Sequence, residues 1–494
     1  MSQKMKRLSG VALSATQGKS LSKGTCGVCQ KSVRVQLDGR IYRHGGKAIG
    51  SNCSGSLSVP VSLLNATQLV LPRGCQSQPA PNLSEPECLS SSGTSENHSI
   101  AGLSAISLLH QRMQLGMPTT IDHVPKGARH ECSVSLTKFL KRVLDDPSCS
   151  DHWANLLAFA PSVLTKPTRG GQAGNLTKLC KNRASSFSGV NCIQAPAPAR
   201  VRKVNDQEYN IATLVSSKME QGNLKAAVRI ISSDESLAPN NSETLQSLLD
   251  KHPVAPADRR LIQDSLANSL CVSSADVRKA IKSFPCGSAS GPDGLKPQHL
   301  KDLTSDITSS DALLTLITNF INLLLSGRCP DNVRPFLFGG NLTALTKKDG
   351  GVRPIAVGCV FRRLASKCAN LFASSAVADY LAPRQLGVGI RGGAEAAAHA
   401  ARKFVQASSG DSVLVKLDFK NAFNTVRRDC ILETVRDKVP EIFNFCKLAY
   451  GDFSYLFSVD PRFFLKRGAS REILSALSCS RLRFTQFLIH YAQT

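Results

Sequence analysis

The segment Val413-Leu-Val-Lys-Leu-Asp-Phe-Lys-Asn-Ala-Phe-Asn-Thr-Val426 sets one carboxylate, Asp418, at the end of an apolar run and an aromatic ring, Phe423, five residues later. Leu414 and Leu417, with Val413 and Val415, predict a buried strand, and Asn421-Ala-Phe-Asn predicts its exit into a turn and helix. A carboxylate at such an exit can hold Mg²⁺, an octahedral, oxygen-seeking ion that takes one or two protein carboxylates and completes its shell with substrate phosphates. Taken alone, Phe423 at a helix start is a core residue by default.

Three segments lead up to that strand. They are Gly287-Ser-Ala-Ser-Gly-Pro-Asp-Gly-Leu295 with Gln298-His-Leu-Lys301, then Gly350-Gly-Val-Arg-Pro-Ile-Ala-Val-Gly358 with Arg362-Arg-Leu-Ala-Ser-Lys367, then Gln385-Leu-Gly-Val-Gly389 with Gly392-Gly-Ala-Glu395 and His399. In Gly-Pro-Asp-Gly, proline presets φ and glycine accepts positive φ, which predicts a loop before a helix at Gln298 to Asp302. Asp349-Gly-Gly, between Leu342-Thr-Ala-Leu-Thr-Lys-Lys348 and Val352-Arg-Pro-Ile355, predicts a hairpin with Lys347, Lys348 and Arg353 near its tip. Read singly, the first is a surface turn and Arg353 a solvated charge. The glycines at 387, 389, 392 and 393 do not make a dinucleotide-binding fingerprint.

Taken in this order and spacing, the four segments resemble the opening boxes of a reverse transcriptase of the non-LTR (LINE-like) retrotransposon type, over roughly residues 120 to 457. The resemblance implies an α+β, mostly helical fold, the fingers and first part of the palm of an incomplete right-handed polymerase. The implied reaction is RNA-directed addition of deoxynucleotides to a 3′-hydroxyl, with Asp418 as a Mg²⁺ ligand. It also implies that Phe423 stacks under the incoming sugar and excludes a 2′-hydroxyl, and that Lys347, Lys348, Arg353 and Phe419 contact the nucleotide. The planar fork of Arg353 suits bidentate phosphate contact.

Two-metal phosphoryl transfer needs a further carboxylate beside the first. In the resembled family it comes from a later Tyr-x-Asp-Asp hairpin, preceded by a Gln-Gly-Asp-Pro box, and these 494 residues contain neither. Tyr450-Gly-Asp452-Phe is the nearest imitation, with one carboxylate and too short a segment before it for the intervening helix. From Asp460 onward the resemblance is lost, and residues 461–494 carry six Lys or Arg and one acid, Glu472. The expectation is therefore a reverse-transcriptase-related chain truncated before the Tyr-x-Asp-Asp box and catalytically incomplete. Two alternatives stay open: a non-enzymatic nucleic-acid-binding remnant of a retrotransposon protein, and a protein-interaction module.

Near the N-terminus, Cys26, Cys29, His44 and Cys53 form a C-x2-C-x14-H-x8-C array, with Gly39, Gly45 and Gly46 supplying turns. Such donors and spacing fit one Zn²⁺ in a knuckle-like unit. Residues 1–60 hold ten Lys or Arg against one acid, Asp38.

The whole chain, with 61 Lys and Arg against 36 Asp and Glu, has a net charge of +25, which favours RNA or DNA as partner through counterion release. Aromatics make up only 5%, so no stacking platform for single-stranded bases is evident. No apolar run is long enough to span a bilayer, and 17 cysteines without framework spacing fit a reducing compartment, nucleus or cytoplasm. The organisation read from the sequence is a Cys/His unit at 20–58, a disordered Ser/Pro-rich linker at 59–120, a helical extension at 121–255, reverse-transcriptase fingers and partial palm at 256–460, and a divergent basic tail at 461–494. Within the extension and fingers, apolar spacing predicts helices at Ser135–Leu144, from Trp153, in the block Ile211–Ile231, at Leu245–Leu249 and at Val277–Phe284, with their apolar stripes as core.

Overall fold

The computed structural model describes residues 104–167, 175–193, 207–233, 236–253, 256–305, 310–381, 385–387, 390–408, 410, 412–415 and 421–458, together with short strands at 23–25, 32–34 and 464–466. Two compact units, residues 1–96 and 97–494, divide the chain. In the first, β1 (Lys23–Thr25) and β2 (Ser32–Arg34) pair antiparallel, with Gly24 opposite Val33.

The second unit is α+β and mostly helical. Helix Arg129–Asp145 buries Cys132, Leu136, Phe139, Leu140 and Val143 at three- and four-residue spacing, a stripe that packs against helix Ser310–Leu325. The latter presents Leu313, Ile317, Phe320, Ile321 and Leu324, all buried. An aromatic chain runs through this core. Trp153, on helix Ser150–Leu157, lies 5.2 Å from Phe320, which lies 5.0 Å edge-on from Phe361 on helix Val360–Ala376. Helix Ser274–Lys282 closes one side, its start fixed by a capping box in which Ser273 and Asp276 satisfy each other's backbone amides.

The sheet is built on β4 (Gly340–Thr346). Along one edge β5 (Val352–Gly358) pairs antiparallel over its full length. The two-residue β3 (Ser236–Leu237) pairs antiparallel near the tip of β4, and β6 (Tyr455–Ser458) pairs parallel at its base. β7 (Phe464–Lys466) then adds antiparallel to β6. The hairpin turn closes through Lys347 N–H to the Gly351 carbonyl at 2.7 Å, with Gly350 at φ 76°, a conformation that an L side chain rarely adopts.

Several boundaries differ from the sequence expectation. Within the stretch expected as linker, helix Ala105–Leu115 starts on a Ser104 cap and buries Leu109 and Met113 in the main core. The expected division near residue 255 does not separate two cores, because one cluster runs from Leu109 to Phe457. The expected tail contributes β7. Helices Arg428–Lys438 and Phe443–Tyr450 occupy the segment before Asp452 that was expected to be too short for one.

Two expectations of burial fail. Val413, Leu414 and Val415 are exposed and irregular, not strand, and no described strand lies beside them to take up their backbone bonds. In helices Gln207–Glu220 and Leu224–Ser232, Ile211, Leu214, Met219, Val228 and Ile231 are exposed, because among the described residues the two helices pack chiefly on each other. Among the described residues no helix is long and apolar enough to cross a membrane.

Candidate functional site

Hairpin β4–β5 has two unlike faces. Leu342, Ala344, Val352 and Ala356 pack with Leu248 and Leu249 of helix Ser242–Asp250 and with Leu456, forming a small separate core. On the opposite face the register sets Arg353 beside Leu345 and Ile355 beside Thr343, and this face is only partly covered. Lys347 and Lys348 lie in the turn and Arg353 near the start of β5, and Lys347 Nζ lies 4.0 Å from Asp349. Asp418 and Phe419 lie outside the described residues. So does the side chain of Phe423, whose backbone enters the short helix Ala422–Thr425 after Asn421, a left-handed residue at φ 55° that donates to the Lys251 carbonyl at 2.9 Å. Cys26, Cys29, His44 and Cys53 also lie outside the described residues.

The Gly-Pro-Asp-Gly segment forms its turn, but in the interior rather than at the surface. A Cβ on Gly291 would stand 2.4 Å from Gly358 C and Cys359 N, so only glycine lets this loop lie against the end of β5. Asp293 is 2% exposed and its Oδ1 has no hydrogen-bond partner. Burial pushes its carboxyl up to about 7, only partly offset by backbone amides and the Cys359 thiol. The residues that follow are anchors. Lys296 Nζ donates to the carbonyls of Thr120 and Ile121 and to Asp122 Oδ1 at 2.7 Å, His299 Nε2 bonds the Ile121 carbonyl at 2.8 Å, and Asp302 accepts from Val124 N–H and Arg129. Burial lowers the His299 pKa to about 4, a shift opposed by its carbonyl bond, so the ring is neutral near pH 7.

Beside this box lies a basic surface. Lys367 Nζ stands 4.8 Å and Arg363 Cζ 5.3 Å from the ring centroid of Phe284, while Lys301 Nζ donates to the Phe284 carbonyl at 2.6 Å. Burial lowers the Lys367 pKa, and the neighbouring charges of Arg363 and Lys301 lower it further. A depression of about 510 Å³ next to them is lined by Arg278, Lys282, Lys301 and Thr304, with Asp311 the acid among the described lining residues, 2.8 Å from Arg278. Arg363 and Lys367, four residues apart on one helix, could have been placed on one face from their spacing. Arg362, next to them, turns inward, fully buried, and donates to the carbonyls of Phe338 and Gly339 at 2.8 and 3.1 Å.

Asp452 is already engaged. Its Oδ2 lies 2.9 Å from Arg334 Nη2 and its Oδ1 accepts from Phe453 N–H at 2.8 Å. A guanidinium in that position occupies the carboxylate and opposes a divalent cation there.

No protein-family model matches this chain, and no curated protein matches its sequence.

Proposed function

We propose that this chain is a reverse-transcriptase-related protein that engages RNA or DNA mainly through phosphates. The observation that carries the reading is the group Lys301, Arg363 and Lys367 around Phe284, opening onto the depression lined by Arg278 and Lys282. Burial first, and then the charges of Arg363 and Lys301, disfavour the Lys367 ammonium, so an anion docked beside the group is favoured, and nucleic-acid phosphates supply it in series. The net charge of +25 has the same sense. The four sequence boxes support the finer assignment to non-LTR retrotransposon enzymes, and the hairpin tip with Lys347, Lys348 and Arg353 supports triphosphate contact. In that assignment Asp418 is the Mg²⁺ ligand, Phe419 and Phe423 border the nucleotide, and Cys26, Cys29, His44 and Cys53 hold Zn²⁺.

A second reading, a nucleic-acid-binding protein without polymerase chemistry, draws on Asp452. Its pairing with Arg334 withdraws Asp452 as the second metal-binding carboxylate. Salt titration of the full chain on a duplex DNA and a single-stranded RNA tests what the two readings share. Replacing Lys282, Lys301 and Lys367 together by Gln should reduce the slope of log K against log salt by up to about 2.7 on duplex and about 2 on single strands, if each neutralises one phosphate. A salt-insensitive complex, or an unchanged slope in the folded variant, refutes the phosphate interface and favours a protein partner.

A further inference from the structure

We propose that Asp146, Cys149 and His152 bind one transition-metal ion, Zn²⁺ by donor type, at the turn between helices Arg129–Asp145 and Ser150–Leu157. One donor atom from each lies within 4.8 Å of the other two. Tetrahedral Zn²⁺ bonds of about 2.0 to 2.3 Å place ligand atoms roughly 3.3 to 3.8 Å apart, so about an ångström of side-chain adjustment closes the set.

The turn holds the three in register without a metal. Trp153, fully buried, donates its indole N–H to the Pro147 carbonyl at 2.9 Å, Cys149 N–H reaches the Asp146 carbonyl at 3.4 Å, and His152 N–H reaches the Cys149 carbonyl at 3.1 Å. Asp146 Oδ1 accepts from both the amide and the hydroxyl of Ser148, which orients the carboxylate. His152 Nδ1 is buried and has no hydrogen-bond partner, a cost that a coordinate bond to a metal removes.

The donor set selects the ion. One thiolate, one imidazole and one carboxylate suit Zn²⁺ or Co²⁺ and not Mg²⁺ or Ca²⁺, which take oxygen. Binding releases the Cys149 thiol proton to solvent, and Zn²⁺ with one thiolate and one carboxylate makes a neutral site. Cys149 and His152 are partly exposed and Asp146 is exposed, so the fourth position is open to water. The site shares no residue with the Cys26–Cys53 array.

The test uses the full chain carrying Cys26→Ser and Cys29→Ser, titrated with Co²⁺. One equivalent should bind with tetrahedral d–d bands and a single-thiolate charge-transfer band, and millimolar Mg²⁺ should not displace it. Adding Cys149→Ser should abolish the charge-transfer band, and His152→Gln should weaken binding more than about tenfold. Absence of bound Co²⁺ in the folded Cys26→Ser/Cys29→Ser chain, or a thiolate band that survives Cys149→Ser, overturns the proposal. If Cys149→Ser does not fold, Asp146→Asn, which leaves the thiol in place, must still weaken the band.

Discussion

Replacing Asp293 by Asn removes a buried carboxyl whose folded-state pKa stands near 7 against an ordinary 3.8, raised by burial. Between those values the folded chain keeps a proton that the unfolded chain has lost. The stability this contributes is complete below about pH 4 and disappears as pH rises through 7. At about 1.36 kcal/mol per pKa unit, Asp293 alone makes the protein ~2.5 kcal/mol less stable at about pH 8 than at about pH 5. His299, lowered to about 4, acts in the opposite sense: its unfolded form charges below about 6.5 while the buried ring stays neutral, so its stability is lost on acidification, ~2 kcal/mol at about pH 5. The two nearly cancel in the wild type. The comparison must therefore be of variant with wild type, in which His299 and the burial-lowered His110 and His252 drop out. From urea unfolding at about pH 5 and about pH 8, the stability difference should move in favour of Asp293→Asn by ~2.5 kcal/mol between the two. A difference that stays constant within about 0.5 kcal/mol would show that the carboxyl is ionised and solvated in the folded chain, and would refute the reasoning.

Gly291→Ala should destabilise by about 1–3 kcal/mol, since its Cβ meets backbone at 2.4 Å on Gly358 and Cys359; an unchanged thermal midpoint would contradict the close approach. In the full chain, Cys26→Ser should eliminate a multi-thiolate Co²⁺ absorption, and a spectrum indifferent to Cys26 would remove the N-terminal array as a metal unit. The 494-residue polypeptide should not extend a primer on an RNA template with Mg²⁺ or Mn²⁺, a deficit above about 10⁴-fold. Extension that disappears with Asp418→Ala would reverse that expectation.

Elements with strong local chemistry were legible in the sequence. The β4–β5 hairpin follows from Asp349-Gly-Gly between apolar runs, and the helices around Leu136 and Trp153 follow from their spacing, because turn preference and periodicity act over a few residues. What depends on distant partners was not. An apolar run such as Val413–Val415 reads the same whether or not a strand pairs with it, and the exposed stripe of Ile211, Leu214 and Val228 is indistinguishable by pattern from a buried one. The parallel pairing of Gly340 with Leu456 joins positions too far apart for any local signal. At the candidate site, the hairpin cations were evident from turn chemistry. Asp293 reads as an ordinary turn polar residue and is buried only because Gly291 admits the β5 end. Adjacent Arg362 and Arg363 differ by one helical step, and burial of the first could not be read from identity alone.

The anchoring of Lys296, His299 and Asp302 onto residues 120–129 bears on how the chain is made. Those bonds link positions 173 to 178 residues apart, so on a ribosome Thr120, Ile121 and Val124 emerge long before the groups that bind them. At about 5–20 residues per second the wait is ~10–35 s, far longer than helix formation or collapse. Through that interval helix Arg129–Asp145, whose apolar stripe is also destined for helix Ser310–Leu325, has no native cover there. The native docking of the early segment thus waits for residues 173 to 178 positions further along the chain.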